Sequence, residues 1–223
     1  MIVAIDGPSG AGKSSVAKAV AKDLGFCCLD TGAMYRSVAW KATGMGIDLD
    51  DDAALGRLAR ESVISFGHEP GNPLPTKVFI DDDDVTSAIR TAEMDKAVSP
   101  VSAAPSVREA LVAQQRRIAS EGDYVIEGRD IGTVVFPDAE VKVFLTASPE
   151  ERARRRVKQN EERGVGLTDF EAVLADIERR DAYDSSRATS PLKPAPDAKI
   201  LDSTNLTIEE VIDQICNMVN ERR

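Results

Sequence analysis

Short apolar runs that alternate with amphipathic stretches set the plan of this chain. Residues 1–6 form an apolar, β-branched run that stops at a glycine-rich turn, the pattern of a buried central strand. Past the turn, Val16, Val20 and Leu24 recur at a spacing of four, one face of a helix over residues 15–24 that closes at Gly25. Residues 26–29 predict a second buried strand. A helix follows from Thr31 through Tyr35, Val38 and Ala39, and another covers residues 52–62. Residues 63–80 break the rhythm, with strand-like pieces around a Pro/Gly-rich connection, then an acidic turn and Val85. They predict a small antiparallel insertion outside the main sheet, running on into a short helical segment near residues 91–98. Val107, Leu111 and Ile118 mark a helix that ends at Gly122, and residues 124–126 and 141–145 are again buried-strand runs. Ser148-Pro149-Glu150-Glu151 supplies an N-cap, a first-turn proline and a third-position glutamate, so a helix starts at Pro149. Thr168-Asp169-Phe170-Glu171 repeats the capping box, and a strand at residues 199–202 leads to a capped amphipathic helix from Thr207. Strands alternating with helices in this way predict an α/β fold with a parallel central sheet covered by helices on both faces.

Length and composition narrow the function. A chain of 223 residues suits one α/β domain with a full core and room for a smaller inserted lobe. A formal charge of -10 argues against a protein that coats nucleic acid, which needs a basic surface. No apolar run approaches a bilayer span, and residues 1–5 enter a strand-like run without a basic leader, so the expectation is a cytoplasmic protein with no membrane or nucleic-acid partner. Cys27, Cys28 and Cys216 match neither a disulfide framework nor a zinc spacing and are expected as buried small hydrophobes. The single histidine, His68, lies in a turn-rich stretch, which leaves the chemistry to other groups. The acidic run 81–84 lacks the glycine and distal glutamate of a calcium loop and reads as a solvated hairpin turn.

Between the first strand and the first helix, Gly7-Pro8-Ser9-Gly10-Ala11-Gly12-Lys13-Ser14 fits G-x-x-x-x-G-K-[ST] without a gap. Backbone N–H groups can turn inward on a phosphate only where side chains do not obstruct, and the following helix offers its unpaired N–H groups and positive dipole end. Gly7, Pro8, Ser9, Gly10, Ala11, Gly12, Lys13, Ser14 and Ser15 are therefore the candidate ATP site. Lys13 would bridge the β- and γ-phosphates, and the Ser14 hydroxyl would be a Mg²⁺ ligand. A switch GTPase would carry D-x-x-G and N-K-x-D signals, and neither is present.

The acceptor site belongs at the carboxyl ends of the strands. There the chain carries Asp30 to Arg36 and Glu127 to Asp130, each combining carboxylate, glycine and arginine. The planar fork of Arg36 or Arg129 suits phosphate oxygens. Further on, Arg152, Arg155 and Arg156 share one helix face and Arg180, Asp184 and Arg187 another, with the glycine-bearing residues 161–166 between them. Residues 152–187 thus read as a lid that closes over phosphates and excludes water. An acceptor that is already a phosphate monoester is largely dianionic near neutral pH and needs no general base, which fits a chain without an obvious one. A hydroxyl acceptor such as shikimate or gluconate, with Asp30 as base, stays open at this point, as does a regulator that binds ATP without transferring phosphate.

The motifs IDGPSGAGKSS, LDTGAMYR, DVTSAIRT, VREAL, EGRDIGTVVFPDA, SPEERARRR, RRDAYDSSR and LDSTNLTIEEV, in this order over essentially the whole chain, resemble bacterial cytidylate kinase, of the nucleoside monophosphate kinase group. The resemblance implies a monomeric, Mg²⁺-dependent kinase that passes the γ-phosphoryl group of ATP in line to CMP or dCMP, with arginines neutralising the charge. It implies one domain over residues 1–223, with an NMP-binding insertion at residues 63–98. It further implies Ser99, Arg108 and Asp130 at the cytosine, Thr31, Asp184 and Arg180 near the ribose, and Tyr35, Arg36, Arg129 and Arg187 near the acceptor phosphate. Lys13, Arg129, Arg180 and Arg187 would be catalytic, with Arg155 and Arg156 on ATP. Two positions depart from the pattern: Thr31 stands where serine is familiar, and Glu127 stands where aspartate precedes the GRD.

Overall fold

In a computed structural model, residues 1–69, 71–164 and 166–223 are described, with Arg163 described by its backbone alone. Pro70 of the predicted insertion and Val165 of the predicted lid connection lie outside the described residues. In chain order the elements are β1 (Ile2–Asp6), α1 (Lys13–Leu24), β2 (Cys27–Asp30), α2 (Thr31–Gly44), α3 (Asp52–Glu61), β3 (Ile64–His68), β4 (Pro75–Ile80) and β5 (Asp83–Asp84). They continue with α4 (Ala92–Ala103), α5 (Pro105–Ala119), β6 (Tyr124–Gly128), β7 (Val141–Thr146), α6 (Pro149–Arg163), α7 (Phe170–Ser185), β8 (Lys199–Asp202) and α8 (Ile208–Asn220). The chain divides into two compact units, Met1–Leu29 with Gly122–Arg223, and Asp30–Glu121.

The first unit is built on a five-stranded sheet in the order β2-β6-β1-β7-β8, and β1 runs parallel to both of its neighbours. Val3, Ala4, Ile5, Val125, Ile126, Val143 and Leu145 are buried, the near-continuous apolar pattern of strands covered on both faces. Burying each large side chain of this set stabilises the unit by about 1.5–3 kcal/mol before entropy is counted. Helix α1 buries Val16, Ala17, Val20 and Ala21, and α8 buries Val211, Ile215 and Val219 at a spacing of four. Register places Asp6 opposite Gly128 on one side and Phe144 on the other, and Thr146 opposite Asp202. The residues that follow these strands therefore emerge along one edge of the sheet.

The second unit packs α2, α3, α4 and α5 with an antiparallel sheet in the order β3-β4-β5, the insertion expected from residues 63–98. Its acidic corner is structural. Asp81 adopts a left-handed φ of 53°, accepts the Val63 N–H at 2.8 Å and pairs with Lys41, while Asp84 pairs with Lys77 at 3.1 Å. Gly56 of α3 lies where a Cβ would stand 2.3 Å from the Cβ of Ser106 on α5, so only a glycine lets the two helices approach this closely.

Several local boundaries differ from the sequence expectation, each for a physical reason. Helix α1 begins at Lys13 instead of residue 15, because Gly12 takes the cap position with φ 88°. The cap of α7 is Asp169 and not Thr168; its carboxylate accepts the Ala172 N–H at 2.9 Å. Helix α4 runs on to Ala103 through Pro100, which lacks the N–H of its turn yet accepts from Ala104 at 3.1 Å one turn later. Residues 131–135 wind a single π turn that no periodicity announces. Cys28 is buried as expected, whereas Cys27 and Cys216 are half-buried. No helix among the described residues is long and apolar enough to cross a membrane.

An alanine in a helix interior normally gains up to ~1 kcal/mol over glycine. At Gly56 the clash with Ser106 reverses the sign, and Gly56→Ala is expected to destabilise the protein by about 1–3 kcal/mol in chemical denaturation. A variant of equal or greater stability would show that α3 and α5 are not in this contact.

Candidate active site

The first unit gathers its polar residues where β1, β6 and β7 end. Gly7 follows β1 and passes so close to β7 that a Cβ would lie 2.0 Å from the Leu145 carbonyl oxygen. Gly10, with φ 77°, faces the start of α6, where a Cβ would stand 3.1 Å from the Arg152 Cβ and 3.4 Å from Ile177 on α7. Both glycines are therefore required by space as well as by backbone shape. Lys13 is buried at the N-terminus of α1, and its Nζ donates to the Pro8 carbonyl at 2.6 Å, so the side chain folds back over its own loop. Ser14 and Ser15, the next residues of the first turn, are exposed.

Around Lys13 the charge is dense. Burial pushes its pKa well below the ordinary lysine range, the nearby Arg129 and Arg180 push it further in the same direction, and Glu127 and Asp6 oppose them. Asp184, only 2% exposed, organises the arginines. Its Oδ2 accepts from Arg129 Nε at 2.9 Å, and its Oδ1 pairs with Arg187, whose guanidinium also stacks on the Tyr183 ring. Burial raises the Asp184 carboxyl, but Arg129, Arg187 and Arg180 outweigh it and hold the group below the usual carboxylate range. The expected set Lys13, Arg129, Arg180, Asp184 and Arg187 is thus brought together within one unit, with Asp130 buried beside it.

One residue of this site escaped the sequence reading, and another was placed by it in a different role. Asp6 ends β1, and both of its oxygens accept backbone N–H groups of the turn that follows Arg129-Asp130: Ile131 at 2.7 Å and Gly132 at 2.8 Å. Burial raises its carboxyl from 3.8 to about 6, against these two hydrogen bonds, with Asp130 adding to the rise and Lys13 opposing it. A carboxylate closing an apolar run just before the first glycine was the available signal. Arg152 was grouped with a phosphate-facing arginine stripe, but it is 5% exposed and donates to Ala147 O at 3.0 Å, to Ser9 O at 2.9 Å and to Asp181. Of its helix neighbours, Arg155 holds Glu151 and both the hydroxyl and carbonyl of Ser203, just past β8, and Arg156 reaches Gln159 at 3.3 Å.

The second unit holds the other expected residues. Asp30 caps α2 through the Ala33 N–H at 2.9 Å, and Thr31 and Tyr35 are buried in the first turns of that helix. Arg36 pairs with Asp95 of α4 at 3.0 Å. Arg108 of α5 donates to the Ser102 carbonyl at 3.0 Å and lies 5.4 Å from the centroid of the Tyr35 ring. Ser99 sits one turn beyond Asp95 on α4 and accepts from the Ser102 hydroxyl at 3.1 Å. Thr31, Tyr35, Arg36, Ser99 and Arg108 are thus carried by three mutually packed helices.

For a divalent cation, the donor set suits a small hard ion. Ser14 presents an exposed hydroxyl one residue past Lys13, while among the described residues no cluster of three His, Cys, Asp or Glu forms a protein cage. Magnesium is commonly held in this way, by few protein oxygens with phosphates and water completing its shell.

Comparison with known proteins finds relatives over nearly the whole chain. The family model for cytidylate kinase matches residues 3–221. A cytidylate kinase from Limosilactobacillus fermentum is 53% identical over 98% of this chain and 95% of its own length. One from Pelotomaculum thermopropionicum is 50% identical, over 99% and 96%. A bifunctional pantoate ligase/cytidylate kinase from Synechococcus is 50% identical over 99% of this chain and 41% of its own length. In overall fold the chain is similar to the crystal structure of an uncharacterized protein from Eubacterium ventriosum, with a TM-score of 0.53, 15% identity and coverage of 99% and 98%.

The carboxyl of Asp6 yields a prediction with a definite sign. Its folded pKa is raised from 3.8, so its contribution to stability is present below pH 3.8 and is lost as pH rises through about 6. Asp6→Asn abolishes that titration. Relative to the wild type, the asparagine variant should gain about 2 kcal/mol between pH 4 and pH 7, read from denaturation curves. A stability difference that is flat across this range would contradict the assignment.

Proposed function

The chain belongs to the cytidylate kinase family, and from that premise we propose that it transfers the γ-phosphoryl group of ATP to CMP or dCMP, releasing ADP and CDP or dCDP. It is a nucleoside monophosphate kinase. The observation that carries the mechanistic reading is the convergence of Arg129, Arg180 and Arg187 around the buried Asp184, with Arg129 and Arg180 also acting on Lys13 of the glycine loop.

Phosphoryl transfer asks little covalent chemistry of the protein and much positioning and neutralisation of charge. We assign the triphosphate to the N–H groups of residues 7–15 and to Lys13, whose side chain would leave the Pro8 carbonyl for the phosphates. A phosphate arriving beside Lys13 would add negative charge among Lys13, Arg129 and Arg180, whose like charges now oppose one another. Mg²⁺ held by Ser14 would neutralise phosphate oxygens when bound. Arg155 and Arg156 are assigned to the ATP side of the lid.

For the acceptor, cytosine offers an amino donor beside acceptor atoms. Asp130 suits the first, and Arg108 and Ser99 suit the second. Arg108 is already aimed by the Ser102 carbonyl and the Tyr35 ring. Thr31, Asp184 and Arg180 are assigned to the ribose, and Tyr35, Arg36, Arg129 and Arg187 to the acceptor phosphate. Arginine has five N–H donors, so Arg129 and Arg187 can hold Asp184 and still present N–H groups to phosphate. That phosphate is dianionic near neutral pH and attacks without a base, in line with the scissile bond. The lid, residues 152–187, would exclude water that could otherwise take the phosphoryl group.

ADP formation measured in parallel with CMP, dCMP, UMP, AMP and shikimate should be largest with the cytidine nucleotides, and silence with both of them would reject the reading. Lys13→Ala is expected to lower kcat/KM by roughly 10²–10³-fold, and Arg129→Ala to lower it by a similar factor with a raised KM for the acceptor. Normal rates at subsaturating acceptor would remove the corresponding role.

A further inference from the structure

Asp181 and Arg152 were given no ligand of their own above, yet both are joined directly to the phosphate loop. The Ser9 N–H donates to Asp181 Oδ1 at 3.1 Å, Arg152 Nη1 donates to the Ser9 carbonyl at 2.9 Å, and Arg152 pairs with the second oxygen of Asp181. Both backbone groups of one loop residue are therefore held by a single ion pair, one partner from α6 and the other from α7.

Its placement is electrostatically demanding. Arg152 sits in the first turn of α6, where the helix dipole disfavours a cation, and its side chain is 6% exposed. The guanidinium is tolerated because Ala147 O, Ser9 O and the Asp181 carboxylate accept its protons. Gly10 adds an independent constraint: Arg152 and Ile177 occupy the space that a Cβ at this position would need, so α6 and α7 both press on the loop. The two helices are themselves joined by Ala153, Val173 and Ile177, with Val157, Phe170 and Leu174 packed against them.

We propose that the Arg152–Asp181 pair is a latch that fixes the register of α7 against the phosphate loop, and that Asp181 is a positioning residue for Arg180, its neighbour in sequence. The inference rests on the kinase reading. Asp181 faces the loop and α6, while Arg180, one residue earlier on α7, lies close enough to Lys13 to depress its pKa. A shift of α7 along the loop would carry Arg180 away from the phosphates, and a displacement of about 1 Å can cost on the order of 10²-fold in rate.

The test is a double-mutant cycle on the full chain with ATP and CMP, using Asp181→Ala, Arg180→Ala and their combination, with thermal melting recorded for each. Turnover of CMP by the wild type is the control for the kinase reading; if it is absent, that reading fails and the cycle does not begin. Asp181→Ala should lower kcat by roughly 10- to 100-fold, with the KM values for ATP and CMP moving less than about threefold. In the Arg180→Ala background the same change should cost less than about threefold, because the side chain that Asp181 positions is already gone. Losses that multiply in the double variant, or a loss explained by the unfolded fraction at the assay temperature, would overturn the proposal. Should the alanine variant not fold, Asp181→Asn takes its place in the cycle and the same two outcomes decide: it keeps an oxygen for the Ser9 N–H but removes the charge that holds Arg152.

Discussion

Cations crowded out of water repel one another, and the first unit brings Lys13, Arg129, Arg180 and Arg187 together beside the end of β1. The arrangement is held by carboxylates that are themselves buried. Asp184 takes Arg129 and Arg187, and Glu127 and Asp6 partly offset the charge at Lys13. A polyanion brought to this place would meet several cations at once, and a low-dielectric setting makes each such contact stronger than it would be in solvent.

Backbone geometry decides where that field points. Parallel strands in register end at the same edge, so Gly7 and Arg129 are delivered side by side by pairings that begin with Ile2 opposite Tyr124, with Leu145 of β7 against Gly7 on the other side. Asp6 then joins two of these ends, accepting the N–H groups of Ile131 and Gly132. Where the loop meets β7 and the helices there is no spare volume: Gly7 is hard against Leu145, and Gly10 against Arg152 and Ile177. The cradle is shaped by its walls as much as by its own sequence.

The residues proposed for the acceptor in the second unit follow another logic. Arg36 and Arg108 are already committed, one to Asp95 and the other to the Ser102 carbonyl and the Tyr35 ring, so their guanidinium planes are oriented before any ligand arrives. Orientation of this kind lowers the entropy lost on binding.

Much of this was legible before any coordinate. The gapless run from Gly7 to Ser14 between an apolar strand and an amphipathic helix, the buried-strand periods, and the arginines at helical spacing all depend on neighbours within a few residues, and local pattern is what a sequence displays. The cap at Asp169, the π turn at residues 131–135 and the continuation of α4 through Pro100 were misjudged or unseen, because each depends on which hydrogen-bond partner the packed chain makes available. The clearest case is Arg152. By spacing it belonged with Arg155 and Arg156, yet Ser9, from 143 positions earlier, and Asp181, 29 positions later, claim its guanidinium. By itself the sequence determined the fold class, the phosphate loop and the family, since these are written in contiguous residues. Which carboxylate restrains which arginine was decided only by tertiary structure, because charge acts through space and the distances that set it exist only once the chain is folded.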